Sequence, residues 1–473
     1  MKKINNKFIF ILLIVVMFFG TFIIMNYSVD TYLLLASPRL SYIREYFNAG
    51  RIITGLFFSI QGILHIPPYL MYLSSFVLAI SFTTISIYIL NNILDKYISN
   101  KILSLIVSIA IIINPFVIEL WLFIESGIMM LSIMSCVMAF KYFDLFLELK
   151  NKKTIYKSLL WMFIALLSYQ GTVALFIVLS AFSIIKHYKT IKDFIKNNII
   201  MFLIYLVPTV INYLFVIMMS RDRVGSNHNL YKVFNFIISS TKSILINGFG
   251  LLPRGFFHLI ILVSIIVSIY YCLNTKKKLI NILSLIYIIS IIYLFTIAPI
   301  IPQNSNDLLI FPRTTYVFGS IVGILFILVN NKNNYKLLNS ILLIILVVEF
   351  YSFKRIELNR YIVNYQDKQI INRIDDKINN YEEETGINVK YLSIYNQNHS
   401  HLFDSDIKDN INVTARAQHP NCEALFVYYT NREIKEKSSD EDIYNNYFKN
   451  KHWKYFDLDQ VVIVGDTLHW YLY

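Results

Sequence analysis

Charge is what this chain has least of. Only 15% of its 473 residues are Asp, Glu, Lys or Arg, and 56% are hydrophobic. Soluble domains carry about 25% charged residues. That shortage excludes an ordinary water-soluble fold and points to an integral membrane protein. Cysteine is nearly absent. Cys136 and Cys272 lie in apolar runs and Cys422 stands alone, so neither a disulfide framework nor a metal cluster is expected. There is no Walker motif and no dinucleotide fingerprint. No Ser-His-Asp or zinc-ligand spacing occurs, and His65, His228 and His258 are isolated. The net charge of +13 does not mark a nucleic-acid binder, because the lysines cluster between apolar runs, as cytoplasmic loops do.

What the chain has in plenty is long apolar runs. A spanning helix needs about 20 apolar residues. The runs fall at 8–25, 69–90, 101–114, 126–147, 155–168, 172–185, 198–219, 255–273, 281–298, 314–330 and 337–353. They predict a polytopic α-helical protein with about eleven crossings, a cytoplasmic N-terminus and an extracytoplasmic C-terminus. The basic start (Lys2, Lys3, Lys7) followed by 8–25 reads as an uncleaved first helix. The lysine-bearing linkers 95–101, 150–157, 186–196, 276–278 and 332–336 all fall on the inner side. The run 52–66, with Gln61, His65 and Pro67–Pro68, reads as a helix lying on or dipping into the outer surface. The runs 155–168 and 172–185 are short and pair around Tyr169–Gln170.

From about residue 354 the composition turns polar. Residues 360–380 read as helix, and 389–395, 424–430 and 461–466 as strands. The expected organisation is a transmembrane domain, 1–353, and a small mixed α/β extracytoplasmic domain, 354–473.

Before residue 354 the arginines are Arg39, Arg44, Arg51, Arg221, Arg223, Arg254 and Arg313. In this threading all lie at or near the outer face, whereas the inner loops use only lysine. Arginine is a rigid fork suited to carboxylate or phosphate, and lysine a flexible point charge. Acids beside apolar runs are expensive unless used or paired. Asp30 follows the first run, and Glu119 and Glu125 flank Trp121 in NPFVIELWLFIESGIMM. Asp30 reads equally as a solvent residue flanking a helix, and Glu125 as a charge favouring a helix N-terminus. The loop 299–313 adds Gln303, Asn304, Asp307 and Arg313. Carboxylates beside arginines suit a hydroxyl nucleophile and a phosphate leaving group. The acid accepts the proton and the arginines neutralise the developing charge.

With these residues laid out, the membrane part resembles the GtrII family of bacterial membrane glucosyltransferases. Asp30 matches the second acid of that family's pair, Val29 standing in place of the first, and Gly50–Arg51 matches its GR dipeptide. Arg39 is the nearest counterpart of an intervening arginine. Asn114, Pro115, Glu119 and Glu125 fit the next motif, Tyr169–Gln170 a YQ pair, and Pro312–Arg313 a late proline–arginine.

The resemblance implies a GT-C-type glycosyltransferase that inverts the sugar by direct displacement. The donor would be a sugar, glucose first, on a polyprenyl phosphate, and the acceptor a hydroxyl of a surface or lipid-linked glycan. Asp30 would be the base, with Glu119 or Glu125 assisting. Arg51, Arg39, Arg221 or Arg313 would bind the phosphate, and Tyr169, Gln170 and Asp307 would contact substrate. A flippase and a polyprenyl-phosphate glucosyltransferase would be functional partners in the bacterial cell membrane. No cofactor is expected, and a metal requirement stays open. Two alternatives use the same features: a polysaccharide polymerase, ligase or other GT-C transferase, and a flippase or transporter of a lipid-linked saccharide.

Overall fold

The chain is a polytopic helical protein whose helices run back and forth between two ends. The computed structural model describes residues 6–24, 27–36, 40–219, 229–253, 255–273, 278–298, 310–328, 335–395, 422–453 and 456–472. The helices in order are α1 (Asn6–Phe19), α2 (Val29–Ala36), α3 (Leu40–Asn48), α4 (Ile52–Ile63), α5 (Pro68–Leu94) and α6 (Lys101–Ile112). Then come α7 (Ile118–Trp121), α8 (Ser126–Leu149), α9 (Lys152–Ser168), α10 (Ala174–His187), α11 (Ile191–Met219) and α12 (Leu230–Asn247). Next are α13 (Phe256–Leu273), α14 (Lys278–Ile297), α15 (Tyr316–Gly319), α16 (Ile321–Leu328) and α17 (Tyr335–Thr385), and two shorter helices, Cys422–Thr430 and Glu441–Ile443, follow near the C-terminus.

Among the described residues, eight helical stretches are long and apolar enough to cross a membrane. The other three expected crossings fall on α9, on α13 and on the broken pair α15–α16. Each of these is short, interrupted or less apolar. The run at 52–66 forms α4, which leaves Leu56, Ile60 and Ile63 exposed. Helix α12 lies between the expected crossings 198–219 and 255–273, where the sequence assigns no element.

Local signals set the helix ends. Asn100 caps α6 by accepting from the N–H groups of Ile102 and Leu103. Asn114 accepts from Phe116 N–H and, with Pro115, breaks the chain into a short 3-10 turn before α7. Its amide also donates to Ser320 Oγ at 3.0 Å, tying this break to α16. Trp121 stacks on Phe19 at 4.1 Å with the rings 4° apart, which pins the α7 segment under the end of α1. Gly127 lets α8 close on α5, since a Cβ there would stand 2.5 Å from the Ser75 carbonyl oxygen.

Helix α17 is 51 residues long and passes through residue 354 without a break. Its first half packs in the membrane core and its second half carries the C-terminal unit. Ile370, Ile374 and Ile378 repeat at helical spacing and pack against Leu392, Leu425 and Leu468. The sheet has strand order β2-β1-β4-β3, with β1 (Tyr391–Tyr395) parallel to β2 (Lys435–Glu436) and β4 (Thr467–Tyr471). Strand β3 (Val461–Val464) returns antiparallel to β4 through a turn at Gly465, whose φ of +58° suits glycine. The segment 424–430 is not a strand. It belongs to a helix, Cys422–Thr430, which buries Cys422, Ala424, Leu425 and Phe426. Its β-branched and aromatic residues favour strand only weakly, and packing on α17 overrides that preference. The apolar core of this unit is continuous with Tyr27, Tyr32, Leu35, Tyr46 and Phe58 of α2–α4 and the turn before them.

Candidate functional site

Four separated stretches meet at the end of the bundle that bears the C-terminal unit. Glu119, on α7, is fully buried. Its Oε1 accepts from Arg313 Nη1 at 2.7 Å and its Oε2 from the Arg313 backbone N–H at 2.8 Å. The Arg313 guanidinium lies 4.7 Å from the Phe123 ring centre and 4.5 Å from that of Phe311. Aromatic faces on a desolvated cation add to the pairing. Glu125 is 5% exposed and sits at the N-cap position of α8, where the helix dipole favours a carboxylate. Its partner is Arg51 Nη1, at the looser distance of 3.7 Å.

Arg51 follows Gly50, whose φ of +71° ends α3 and turns the chain into α4. The Tyr169 ring supports its guanidinium at 4.7 Å. Gln170 braces the same turn, its Nε2 donating to the Ala49 carbonyl at 2.8 Å, and Asn212 donates to the Gly50 carbonyl at 2.8 Å. Gly171 lets the Tyr169–Gln170 turn approach the Arg313 loop, because a Cβ there would stand 2.7 Å from the Arg313 carbonyl oxygen. Tyr169 therefore stands among Arg51, Arg313, Glu119 and Glu125, all within electrostatic reach of it.

The two arginines are not equally engaged. Arg313 is held by a short carboxylate contact and two rings. Arg51 meets its carboxylate at long range, and its buried Nε has no hydrogen-bond partner among the described residues. That donor is available to an anion.

Asp30 lies on α2, and its side chain is outside what the structure describes. Ser28 N–H donates to the Leu122 carbonyl at 3.1 Å, and Thr31 Oγ1 accepts from Ile124 N–H at 3.2 Å. The backbone that carries Asp30 is thus stitched to the segment between the two glutamates. Arg39, Arg221 and Asp307 lie outside the described residues. Asn212, which supports the Arg51 turn, escaped the sequence reading because an asparagine within an apolar helix gives no sign of its partner.

A second cluster lies at the opposite, lysine-bearing end. Ligand atoms of Asp144, Glu148 and His187 lie within 4.8 Å of one another. Asp144 is buried and accepts from Ser183 Oγ and Tyr97 OH. Tyr97 OH also meets His187 Nε2 at 2.7 Å. Lys96 Nζ bonds both oxygens of Glu148, at 2.8 and 3.0 Å, and reaches Asp144 at 3.5 Å. The residue types suit a divalent ion, but the Lys96 ammonium already stands between the carboxylates. We therefore assign this group as an ion-pair bracket joining α5, α8 and α10.

Comparison with protein-family models and with curated proteins finds no match to either.

Proposed function

We propose that the chain transfers a sugar from a polyprenyl-phosphate carrier to a hydroxyl of a cell-surface glycan, on the outer face of the bacterial cell membrane. The observation that carries this reading is Arg51, a guanidinium backed by an aromatic ring, loosely paired and with a buried donor left over. A phosphate supplies the oxygens that this fork is short of. The meeting of Asn114–Glu125, Gly50–Arg51, Tyr169–Gln170 and Pro312–Arg313 in one place supports the resemblance to GtrII transferases, since these pairs are far apart in sequence.

In this mechanism the acceptor oxygen attacks the anomeric carbon from the face opposite the phosphate. The new C–O bond forms as the bond to phosphate breaks, and the configuration inverts. The acceptor proton passes to Asp30, and the electron pair of the broken bond leaves on the polyprenyl phosphate. Arg51 meets the extra negative charge as it develops. Arg313, fixed by Glu119, adds a second positive group without reorganisation. Glu125 tethers Arg51 and yields it when phosphate arrives.

In this reading about eleven crossings and a cytoplasmic N-terminus would put this end outside, where a nucleotide-linked sugar is not at hand. A lipid-linked donor, loaded by a polyprenyl-phosphate glucosyltransferase and turned over by a flippase, solves that supply. The test is transfer in proteoliposomes from polyprenyl-phosphate-glucose to isolated surface glycan. Transfer with inversion, lost in Asp30→Asn, supports the reading. Undiminished transfer in Asp30→Asn removes Asp30 from the mechanism, and equal transfer from a nucleotide-linked sugar alone sinks the donor assignment. Movement of the labelled lipid without bond formation would replace the reading with a flippase.

A further inference from the structure

A general base must be held where the acceptor hydroxyl arrives, yet α2 is a short helix of eight residues. Its fixing comes from the far end of the chain. Asn364 of α17 closes on both backbone groups of Tyr27. Its Oδ1 accepts from Tyr27 N–H at 2.9 Å, and its Nδ2 donates to the Tyr27 carbonyl at 3.2 Å. Arg360, one turn earlier, donates Nε to the same carbonyl at 2.7 Å. Both side chains belong to residues only 1% exposed. Burying an arginine is costly, and this buried guanidinium holds, among its contacts, a main-chain carbonyl three residues before Asp30.

The opposite flank is held as firmly, by the bonds of Ser28 and Thr31 to the segment that carries the glutamates. Side chains of the C-terminal unit close over the top. Tyr429 OH bonds Tyr32 OH at 2.7 Å, and Tyr428 OH donates to Tyr27 OH at 3.3 Å. The Tyr428 ring packs edge-to-face on Tyr27 at 5.7 Å and on Tyr32 at 5.8 Å. Residues 27–32 are thus gripped between α17, the Cys422–Thr430 helix and the glutamate segment.

We propose that Arg360 and Asn364 are positioning residues for the transfer reaction. The extramembrane half of α17, locked by the Cys422–Thr430 helix, sets α2 in register against the glutamate segment and so places Asp30. This rests on the reading of Asp30 as the acceptor base. The C-terminal unit is then part of the catalytic apparatus, and its attachment through one unbroken helix transmits its position to the site.

The test uses the full chain in proteoliposomes with polyprenyl-phosphate-glucose and surface glycan. Asn364→Ala is expected to lower kcat roughly 100-fold, the scale of a small misplacement of a catalytic group. The donor KM, set by Arg51 and Arg313, is expected to stay within about twofold, since an effect confined to kcat marks an interaction that matters in the transition state. Arg360→Lys, which keeps a donor and the charge, is expected to retain more activity than Arg360→Met. Tyr429→Phe removes one hydroxyl and keeps the ring, so it reports even if Asn364→Ala does not fold, and it is expected to lower kcat several-fold at unchanged donor KM.

Wild-type kcat in folded Asn364→Ala or Tyr429→Phe overturns the proposal. So does a fall in apparent kcat that disappears once activity is normalised to the amount of folded protein. Asp30→Asn run in parallel separates the two ideas. Full activity there removes the base reading, while an inactive Asp30→Asn beside a fully active Asn364→Ala removes the positioning role alone.

Discussion

Replacing Arg313 with methionine tests the tightest charge pair at the candidate site. Glu119 has a side-chain exposure of 0%, and that of Arg313 is 16%. Removing one partner of a buried pair costs about 3–5 kcal/mol, because the remaining charge stays buried without compensation. Glu119 keeps a bond in this variant, since Oε2 is held by the residue 313 backbone N–H rather than its side chain. The loss therefore belongs at the lower end, about 3 kcal/mol. At 1.4 kcal/mol per factor of ten, that is roughly 100-fold in the folding equilibrium.

The assay is reversible unfolding of the purified protein in mixed micelles, wild type against Arg313→Met, Glu119→Leu and the double variant. Each single change is expected to destabilise strongly. The double variant is expected to lie nearer wild type than the sum of the singles, because neither charge is then stranded. A single Arg313→Met as stable as wild type refutes the view of this contact as a desolvated pair. Strict additivity refutes the coupling.

Three further outcomes are expected. Arg51→Lys keeps the charge but loses the fork and its platform on Tyr169, so the donor KM in the transfer assay rises about tenfold with little change in stability; an unchanged KM would exclude Arg51 from donor binding. Lys96→Ala vacates the space between Asp144, Glu148 and His187, so thermal stability of this variant, unlike wild type, is expected to rise when a divalent cation is added; an equal response in both proteins would show that Lys96 does not fill a cation's place. Burial holds His469 below its ordinary value of 6.5, so the unfolded unit takes up a proton that the folded one resists. The stability from this group is full above pH 6.5 and falls as the pH drops below it, an effect that unfolding of the full chain between pH 7.5 and 5 should show and His469→Gln should abolish.

How much could be read beforehand follows from what desolvation makes conspicuous. Glu119, Glu125, Arg51 and Arg313 bound apolar runs, where a charge is costly, so their residue types alone drew notice. The pairing was not legible. Glu119 takes Arg313 across 194 positions, and nothing in either stretch distinguishes that partner from Arg51. Gln170 was noticed as a substrate contact, yet its amide braces the Gly50 turn, a role that depends on where α3 lands beside α9. Asp144 obeys the same rule as the glutamates, an acid within an apolar run, but its partners Ser183 and Tyr97 come from outside its own helix, so no local spacing marks it. Arg360 and Asn364 fall in a stretch whose polar composition reads as a solvated helix. Only the continuity of α17 with the membrane core turns that face inward.

The two ends of the bundle solve one problem with different chemistry. At the lysine end, Lys96 is a compact ammonium, and carboxylates from two turns of α8 wrap around it until its donors are used. At the other end the cations are guanidiniums, which present five N–H groups in a fixed plane, more than one carboxylate can satisfy. Glu119 takes a bond from Arg313 Nη1, and Glu125 meets Arg51 at 3.7 Å. Aromatic rings of Tyr169, Phe123 and Phe311 then hold the planes flat without consuming a donor. Had these arginines been lysines, the same glutamates would have satisfied them, and the end of the bundle would be a closed ion-pair bracket like its opposite. At Arg51 the fork leaves a buried Nε without an acceptor among the described residues, and on the proposed reading that donor is what an incoming phosphate would bind.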